Sequence, residues 1–227
     1  MRIFTCIHGR RELTRAFFWH LDYLRERTKL DLPISLCYSD DEDFEAIEEF
    51  IREQDSAVKY PNTFLGDKWN YLTSNMIKTH KDDYYLCVGS DDFLSVAYIE
   101  LINALKVDFA GTNELYFYQM FTGKAISFKY NHPVCKTLGA GRLYSHRLLE
   151  KFNGTLWDKK QQSSLDNYSE KLLFRAGFIP TIVNFKEPQI VDVKSYENIH
   201  NFEEFETQGE EVEGEKVLFL MPNISFE

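Results

Sequence analysis

The sequence predicts an α/β fold: a mixed, mostly parallel sheet flanked by helices, followed by a smaller antiparallel part. Three observations predict it. Over residues 1–105, short β-type runs alternate with stretches whose apolar residues recur at helical spacing. Over residues 106–200, two strand-like runs are separated only by Phe121-Thr122-Gly123, a hairpin signal. Between these halves, the apolar run 84–88 stops at Gly89-Ser90-Asp91-Asp92, the point at which a buried strand would leave its sheet.

Each element follows from its pattern. Residues 2–7 form the first strand, broken by His8-Gly9-Arg10-Arg11. Residues 12–27 read as a helix because Leu13, Ala16, Phe17, His20, Leu21 and Leu24 share one face. Trp19 and Trp69, at helical spacing, read as packing residues. Residues 32–38 are the second strand; Ser39-Asp40-Asp41 caps a helix over 42–54. A brief strand at 57–60 and a loop at 61–66 lead to a helix over 68–80. Strand four is 84–88, and helix four is 94–105. The runs 108–119 and 124–129 form the hairpin, 138–141 is a glycine-containing loop, and 145–152 and 165–176 are helices. Runs 178–184 and 190–193 close the sheet. The acidic tail over 201–227 carries an apolar segment, 217–221, that reads as an edge strand, a core segment or a dimer contact, so the oligomeric state stays open. With no repeat or linker, the expected organisation is a single domain over 1–227.

The formal net charge of −10 argues against a broad electrostatic grip on nucleic acid. Cys6, Cys37, Cys87 and Cys135 are widely spaced, three of them inside apolar runs, and read as reduced core thiols rather than a disulfide framework or zinc site. The first residues are too polar for a signal peptide, and no apolar run approaches a membrane span. A cytoplasmic protein is the expectation.

Two readings fit Asp91-Asp92. Neighbouring carboxylates repel unless something positive lies between them, and a divalent cation carrying a phosphate group serves. Alternatively, the pair caps the next helix at its N-terminus.

Four segments together resemble the small GT-A-fold glycosyltransferases grouped with the family 2 inverting enzymes, over most of the chain as far as about His200. His8-Gly9-Arg10-Arg11 looks like the first strand-to-helix turn that meets the nucleotide. Lys68-Trp69-Asn70 looks like the helix beside base and ribose. Gly89-Ser90-Asp91-Asp92 looks like a DXD-type metal motif without its first acid. Leu165-Asp166 opens the helix that usually carries the catalytic carboxylate, with Leu165 in place of the usual first acid. The resemblance implies a GT-A-like, Rossmann-like fold and transfer of a sugar from a nucleotide-diphosphate donor to an acceptor hydroxyl. The acceptor classes it implies are a saccharide, a lipid-linked saccharide or a modified DNA base. It also implies Mn²⁺ or Mg²⁺, with inversion at the anomeric carbon.

On that footing Asp92 is the first metal ligand, with Asp91 and His200 as further candidates. Asp91 also serves the ribose. Asp166 is the general base, and Asp158 is the fallback. Arg10 and Arg11 are candidates for the diphosphate or base, Lys194 for the phosphate, and His8, Asp40, Lys68 and Asn70 for the nucleoside. Each has an ordinary reading beside it: helix caps for Asp40 and Asp166, charge pairing along the helix for Arg10 and Arg11, a polar helix face for Lys68 and Asn70, a surface histidine for His200. Two other classes compete. One is a non-catalytic nucleotide- or glycan-binding protein of the same fold. The other is a nucleotidyltransferase, which would need a longer Gly-rich basic loop after the first strand.

Overall fold

The computed structural model describes residues 1–196, 198–222 and 224. Glu197 and the end of the acidic tail lie outside the described residues. The chain builds two sheets. The larger contains β1 (Arg2–Cys6), β2 (Ile34–Tyr38), β3 (Ser56–Lys59), β4 (Tyr84–Cys87), β6 (Phe109–Gly111), β9 (Arg142–Ser145) and β10 (Thr181–Ile182). The smaller contains β5 (Asp92–Leu94), β7 (Glu114–Gln119), β8 (Ala125–Lys129), β11 (Ile190–Lys194) and β12 (Glu210–Val212). The helices are α1 (Arg11–Thr28), α2 (Asp41–Glu45), α3 (Leu65–Thr79), α4 (Val96–Ala104), α5 (His146–Lys151), α6 (Leu165–Arg175), α7 (Glu203–Glu206) and α8 (Gly214–Leu218).

The order of the large sheet, β10-β6-β9-β4-β1-β2-β3, explains where a site forms. Strands β1, β2, β3 and β4 are parallel. The chain moves outward from β1 through β2 to β3, then returns to place β4 on the other side of β1. That reversal leaves a crevice beyond the carboxyl ends of β1 and β4, where ligands bind in open α/β sheets. Both strands are buried on two faces, which is why they read as apolar runs rather than alternating ones. One core lies between the sheet, α1, α4 and the smaller sheet, around Ile3, Phe17, Leu21, Phe93 and Ile102. The other lies beneath α3, α5 and α6, around Phe4, Trp69, Leu149, Trp157 and Leu173. Among the described residues, no helix is long and apolar enough to cross a membrane, and all four cysteines are free and buried.

Several expectations are corrected. Helix four does not open at Leu94: residues 92–94 form a strand, β5, that crosses into the smaller sheet, and α4 begins at Val96, capped by Ser95, whose Oγ accepts from the Tyr98 N–H at 3.0 Å. The acidic pair is therefore no helix cap. The run 108–119 breaks at residues 112–113 because its halves serve different sheets. Strand β9 follows the expected loop and takes in Ser145, the expected start of the next helix, and only two residues of 178–184 pair as strand. The helix over 42–54 shrinks to α2 and a 3₁₀ turn, Glu48–Phe50. The acidic tail folds back: β12 pairs with β8, and 217–221 is no edge strand but packs on the core through Val217 and Met221, while Phe219 stays exposed. Trp69 and Trp157 stack in the core, but Trp19 is 55% exposed, because the α1 face that packs is set by Phe17, Phe18 and Leu21.

His20 ties α1 to β5. Its Nε2–H donates to the Leu94 carbonyl at 2.7 Å, which leaves Nδ1 buried without a partner. Protonation would put a second N–H into that dry site, so burial lowers its pKa to about 4. The unfolded chain then binds more protons than the folded one as pH falls below about 6.5. Stability contributed by neutral His20 is fully present above that pH and is lost progressively down to about 4, by roughly 3 kcal/mol in all. Urea unfolding followed from pH 7 to pH 4 should show this slope, and His20→Gln should flatten it.

Candidate functional site

The crevice at the sheet reversal is a cleft of about 630 Å³, lined by His8, Arg10, Lys68, Asp91, Asp92, Asp166, Asp192, Lys194 and His200 among others. Its floor is built by two turns. After β1, Gly9 and Arg10 both adopt left-handed backbone, at φ 60 and φ 47. For an arginine that conformation costs on the order of 1–3 kcal/mol. It aims the guanidinium across the cleft, where Nη1 donates to Asp91 Oδ2 at 2.7 Å and Nη2 to Ser90 Oγ at 3.0 Å. After β4, Gly89 is followed by the two acids. A Cβ at Gly89 would sit 2.7 Å from carboxylate oxygens of both Asp91 and Asp92, so a larger residue there would push the two acids from their places.

The turn then enters β5, which pairs antiparallel with β11 so that Asp92 stands directly opposite Asp192. Three carboxylates thus meet. Lys194, two residues along β11, donates to Asp192 Oδ2 at 2.8 Å, its ammonium lying 4.9 Å from the Phe117 ring and 5.4 Å from that of Phe205. Asn198 Nδ2 donates to Asp91 Oδ2 at 2.7 Å. The charges sort accordingly. Burial works to raise the Asp91 pKa, but Arg10 and then Lys194 hold it below the usual carboxylate range. Burial, then Asp91 and Asp192, push Asp92 well above it, against a hydrogen bond from the Gly89 N–H at 2.8 Å. Burial pushes Asp192 up to about 6; Lys194 pulls against that and Asp91 adds to it. Asp192 Oδ1 is buried and has no hydrogen-bond partner. Two carboxyls that resist ionising, one with an idle oxygen, are a donor set suited to a hard cation.

A second group of polar side chains lies past β1 and β2. His8 Nδ1 is 3.1 Å from Asp40 Oδ2 and 3.5 Å from Asp43 Oδ2, and Asp43 accepts from the Gly9 N–H. These three side chains offer ligand atoms within 4.8 Å of one another, the arrangement of this kind found among the described residues. Lys68 is buried and donates to Ser39 Oγ at 3.3 Å and Asn62 Oδ1 at 3.4 Å.

Other expected residues lie elsewhere. Asn70 spends its amide on the backbone of residues 156–157 and faces away from the cleft. Arg11 is exposed and pairs with Glu42 rather than along its own helix. Asp40 sits at the α2 N-cap position but makes no side-chain cap bond. His200 lines the cleft with Nδ1 on Glu204 at 3.0 Å, apart from the Asp91–Asp92 pair.

On the opposite wall, Asp166 lies in the first turn of α6 without capping it. Its Oδ2 accepts from the Gly139 N–H at 2.9 Å, and a Cβ at Gly139 would fall 2.2 Å from its Oδ1. Loop and carboxylate are therefore packed face to face. The sequence reading missed Asp43, Asp192 as a partner of Asp92, Asn198, and the Phe117–Phe205 stack at 4.1 Å. Strand alternation carried one signal: Asp192 and Lys194, two apart on a strand, must share a face.

No protein-family model matches the sequence, and no curated protein is similar to it. Solved structures are. One is a Drosophila β-1,4-galactosyltransferase 7 mutant in complex with manganese, UDP-Gal and xylobiose, with TM-score 0.57 and 11% identity over all of this chain and 81% of that one. Another is S. aureus TarS in complex with UDP-GlcNAc, with TM-score 0.52 and 13% identity over 87% of this chain and 59% of that one. A third is the bifunctional IspDF of Campylobacter jejuni, with TM-score 0.51 and 10% identity over 93% of this chain and 54% of that one. At such identities the likeness is one of architecture, and it establishes that this chain has a GT-A-like fold.

Proposed function

We propose that this chain is a glycosyltransferase that moves a sugar from a nucleoside diphosphate to an acceptor hydroxyl. One observation carries the reading: a single cleft is lined both by the cation-and-acid cluster of Arg10, Asp91, Asp92, Asp192 and Lys194 and by Asp166, a carboxylate in the first turn of α6 that does not cap its helix. That two structures of similar fold hold UDP-sugars supports the donor class.

In this reading His8 and Lys68 contact the nucleoside end, and Arg10 and Lys194 face the diphosphate. Asp166 takes the acceptor proton as the oxygen attacks the anomeric carbon. The bond from that carbon to the diphosphate oxygen breaks, and the leaving group departs with the electron pair. Arg10 and Lys194 then stabilise charge that grows as the bond breaks, which lowers the barrier more than it tightens substrate binding. Attack from the Asp166 side, opposite the leaving group, inverts the anomeric centre. Asp92 and Asp192 would hold a divalent ion such as Mn²⁺ or Mg²⁺, which supplies Lewis-acid stabilisation of the diphosphate. A nucleotidyltransferase reading fits less well, because only residues 7–10 separate β1 from α1, too few for a phosphate-wrapping loop.

A thermal-shift screen of nucleoside diphosphate sugars with and without Mn²⁺ should identify a donor that raises the melting temperature. With that donor, release of nucleoside diphosphate should follow, and Asp166→Asn should cut the rate by about 10²–10⁴-fold while donor binding survives. Donor binding without turnover under any acceptor would instead favour a non-catalytic binding protein. Asp92→Asn and Asp192→Asn should each raise the half-saturating Mn²⁺ concentration at least about 10-fold. An unchanged metal midpoint in both variants would remove them from the ion's shell.

A further inference from the structure

A deeply buried ion pair lies outside the charge cluster described above. Arg142, at the start of β9, is 1% exposed, and its partner Glu170 on α6 is 2% exposed. Burying such a pair gives little net stability, and well-packed apolar residues often do as well. The use of this pair lies in what the guanidinium spans. Its Nε–H reaches the Leu138 carbonyl at 2.8 Å and Thr137 Oγ1 at 3.0 Å; its Nη2 donates to the Thr137 carbonyl at 2.7 Å and Glu170 Oε2 at 2.8 Å. Its Nη1 donates to the main-chain carbonyl of Asp166 itself at 3.0 Å and to Ser169 Oγ at 2.8 Å. Glu170 completes the clasp by accepting from the N–H groups of Lys136 and Thr137 and from the Thr137 hydroxyl.

One planar group therefore fastens both sides of the Gly139–Asp166 contact: the residue before Gly139 on one side, the Asp166 backbone on the other. Lysine has a single point of attachment and cannot span these segments. Gly139 leaves no room for drift, since its missing Cβ is what admits the carboxylate.

We propose that Arg142, locked by Glu170, is the positioning residue for Asp166: it sets where that carboxylate stands relative to the cleft without touching substrate. The proposal rests on the reading of Asp166 as the general base. A base displaced by about 1 Å loses on the order of 100-fold in rate, whereas the clasp makes no hydrogen bond to Arg10, Asp91, Asp92 or Lys194 and meets the other side of the cleft only through the backbone ladder that sets Arg142 opposite Cys87.

The test compares wild type, Asp166→Asn, Arg142→Lys and the double variant Arg142→Met/Glu170→Leu. The last leaves no unpaired buried charge, which removing one partner alone does. Nucleoside diphosphate release is measured across a panel of nucleoside diphosphate sugars with Mn²⁺, with water or methyl glycosides as acceptor, alongside hydrogen exchange at the Gly139 amide. The expected result is that kcat falls about 10- to 100-fold in the Arg142 variants, that the donor KM stays within about twofold, and that Gly139 exchanges faster than in wild type. If Asp166→Asn is inactive but the double variant turns over like wild type, the clasp does not position the base and this proposal is overturned while the function stands. If wild type shows no turnover, or Asp166→Asn matches it, the base reading falls and takes the proposal with it. A donor KM that rises as much as kcat falls points to general loosening of the fold and likewise overturns the proposal.

Discussion

The site depends on one strand pairing. Where β5 meets β11, Asp92 and Asp192 face each other across an antiparallel ladder, with Asp91 at the adjoining turn. Like charges directly opposite on paired strands destabilise a sheet, and an uncompensated buried carboxylate costs several kcal/mol. Two cations answer the three acids: Arg10 from the first turn and Lys194 from β11 itself. That is one positive charge short. The shortfall falls on Asp92, which burial and its two neighbours drive toward the protonated form, while Asp91, gripped by Arg10, remains ionised. The apo protein thus stores a deficit of positive charge at the place where the chain can offer oxygen ligands.

The cleft is assembled from parts with separate supports. The acid cluster hangs from the junction of the two sheets. Asp166 hangs from α6 and the 137–141 loop, behind which Arg142 and Glu170 are sealed from water. The aromatic contacts of Phe205 with Phe117 and Phe128 bring the C-terminal segment onto the smaller sheet and close the side of the cleft beside Lys194. The two supports meet where β9 pairs with β4, Arg142 standing opposite Cys87.

Much of the larger sheet was legible because its strands are buried on both faces and its helices carry long apolar stripes. The acid pair was legible for the same reason: an apolar run ended abruptly at charge. What the sequence hid was pairing across distance. Residues 92–94 look like the opening of a helix until β11 is there to pair with them. Asp192 is an ordinary acid beside a lysine until strand register places it opposite Asp92. Arg142 reads as a charge after a glycine loop, because local pattern carries no sign that six acceptors surround it. The tail misled by composition: its glutamates are exposed, but Val217, Phe202 and Met221 between them are buried.

The Asn198–Asp91 bond spans 107 positions, and Asp192 and Lys194 are almost as remote from the turn they balance. A ribosome emits the N-terminal half first, at about 5–20 residues per second. During that interval Asp91 and Asp92 have Arg10 alone for company, and β5 has no ladder to join. Nascent chains halted before β11 emerges would carry a frayed strand and a hydrated acid turn in place of a finished crevice. The full set of charges around the acid turn therefore comes together late in synthesis, once β11 has been made.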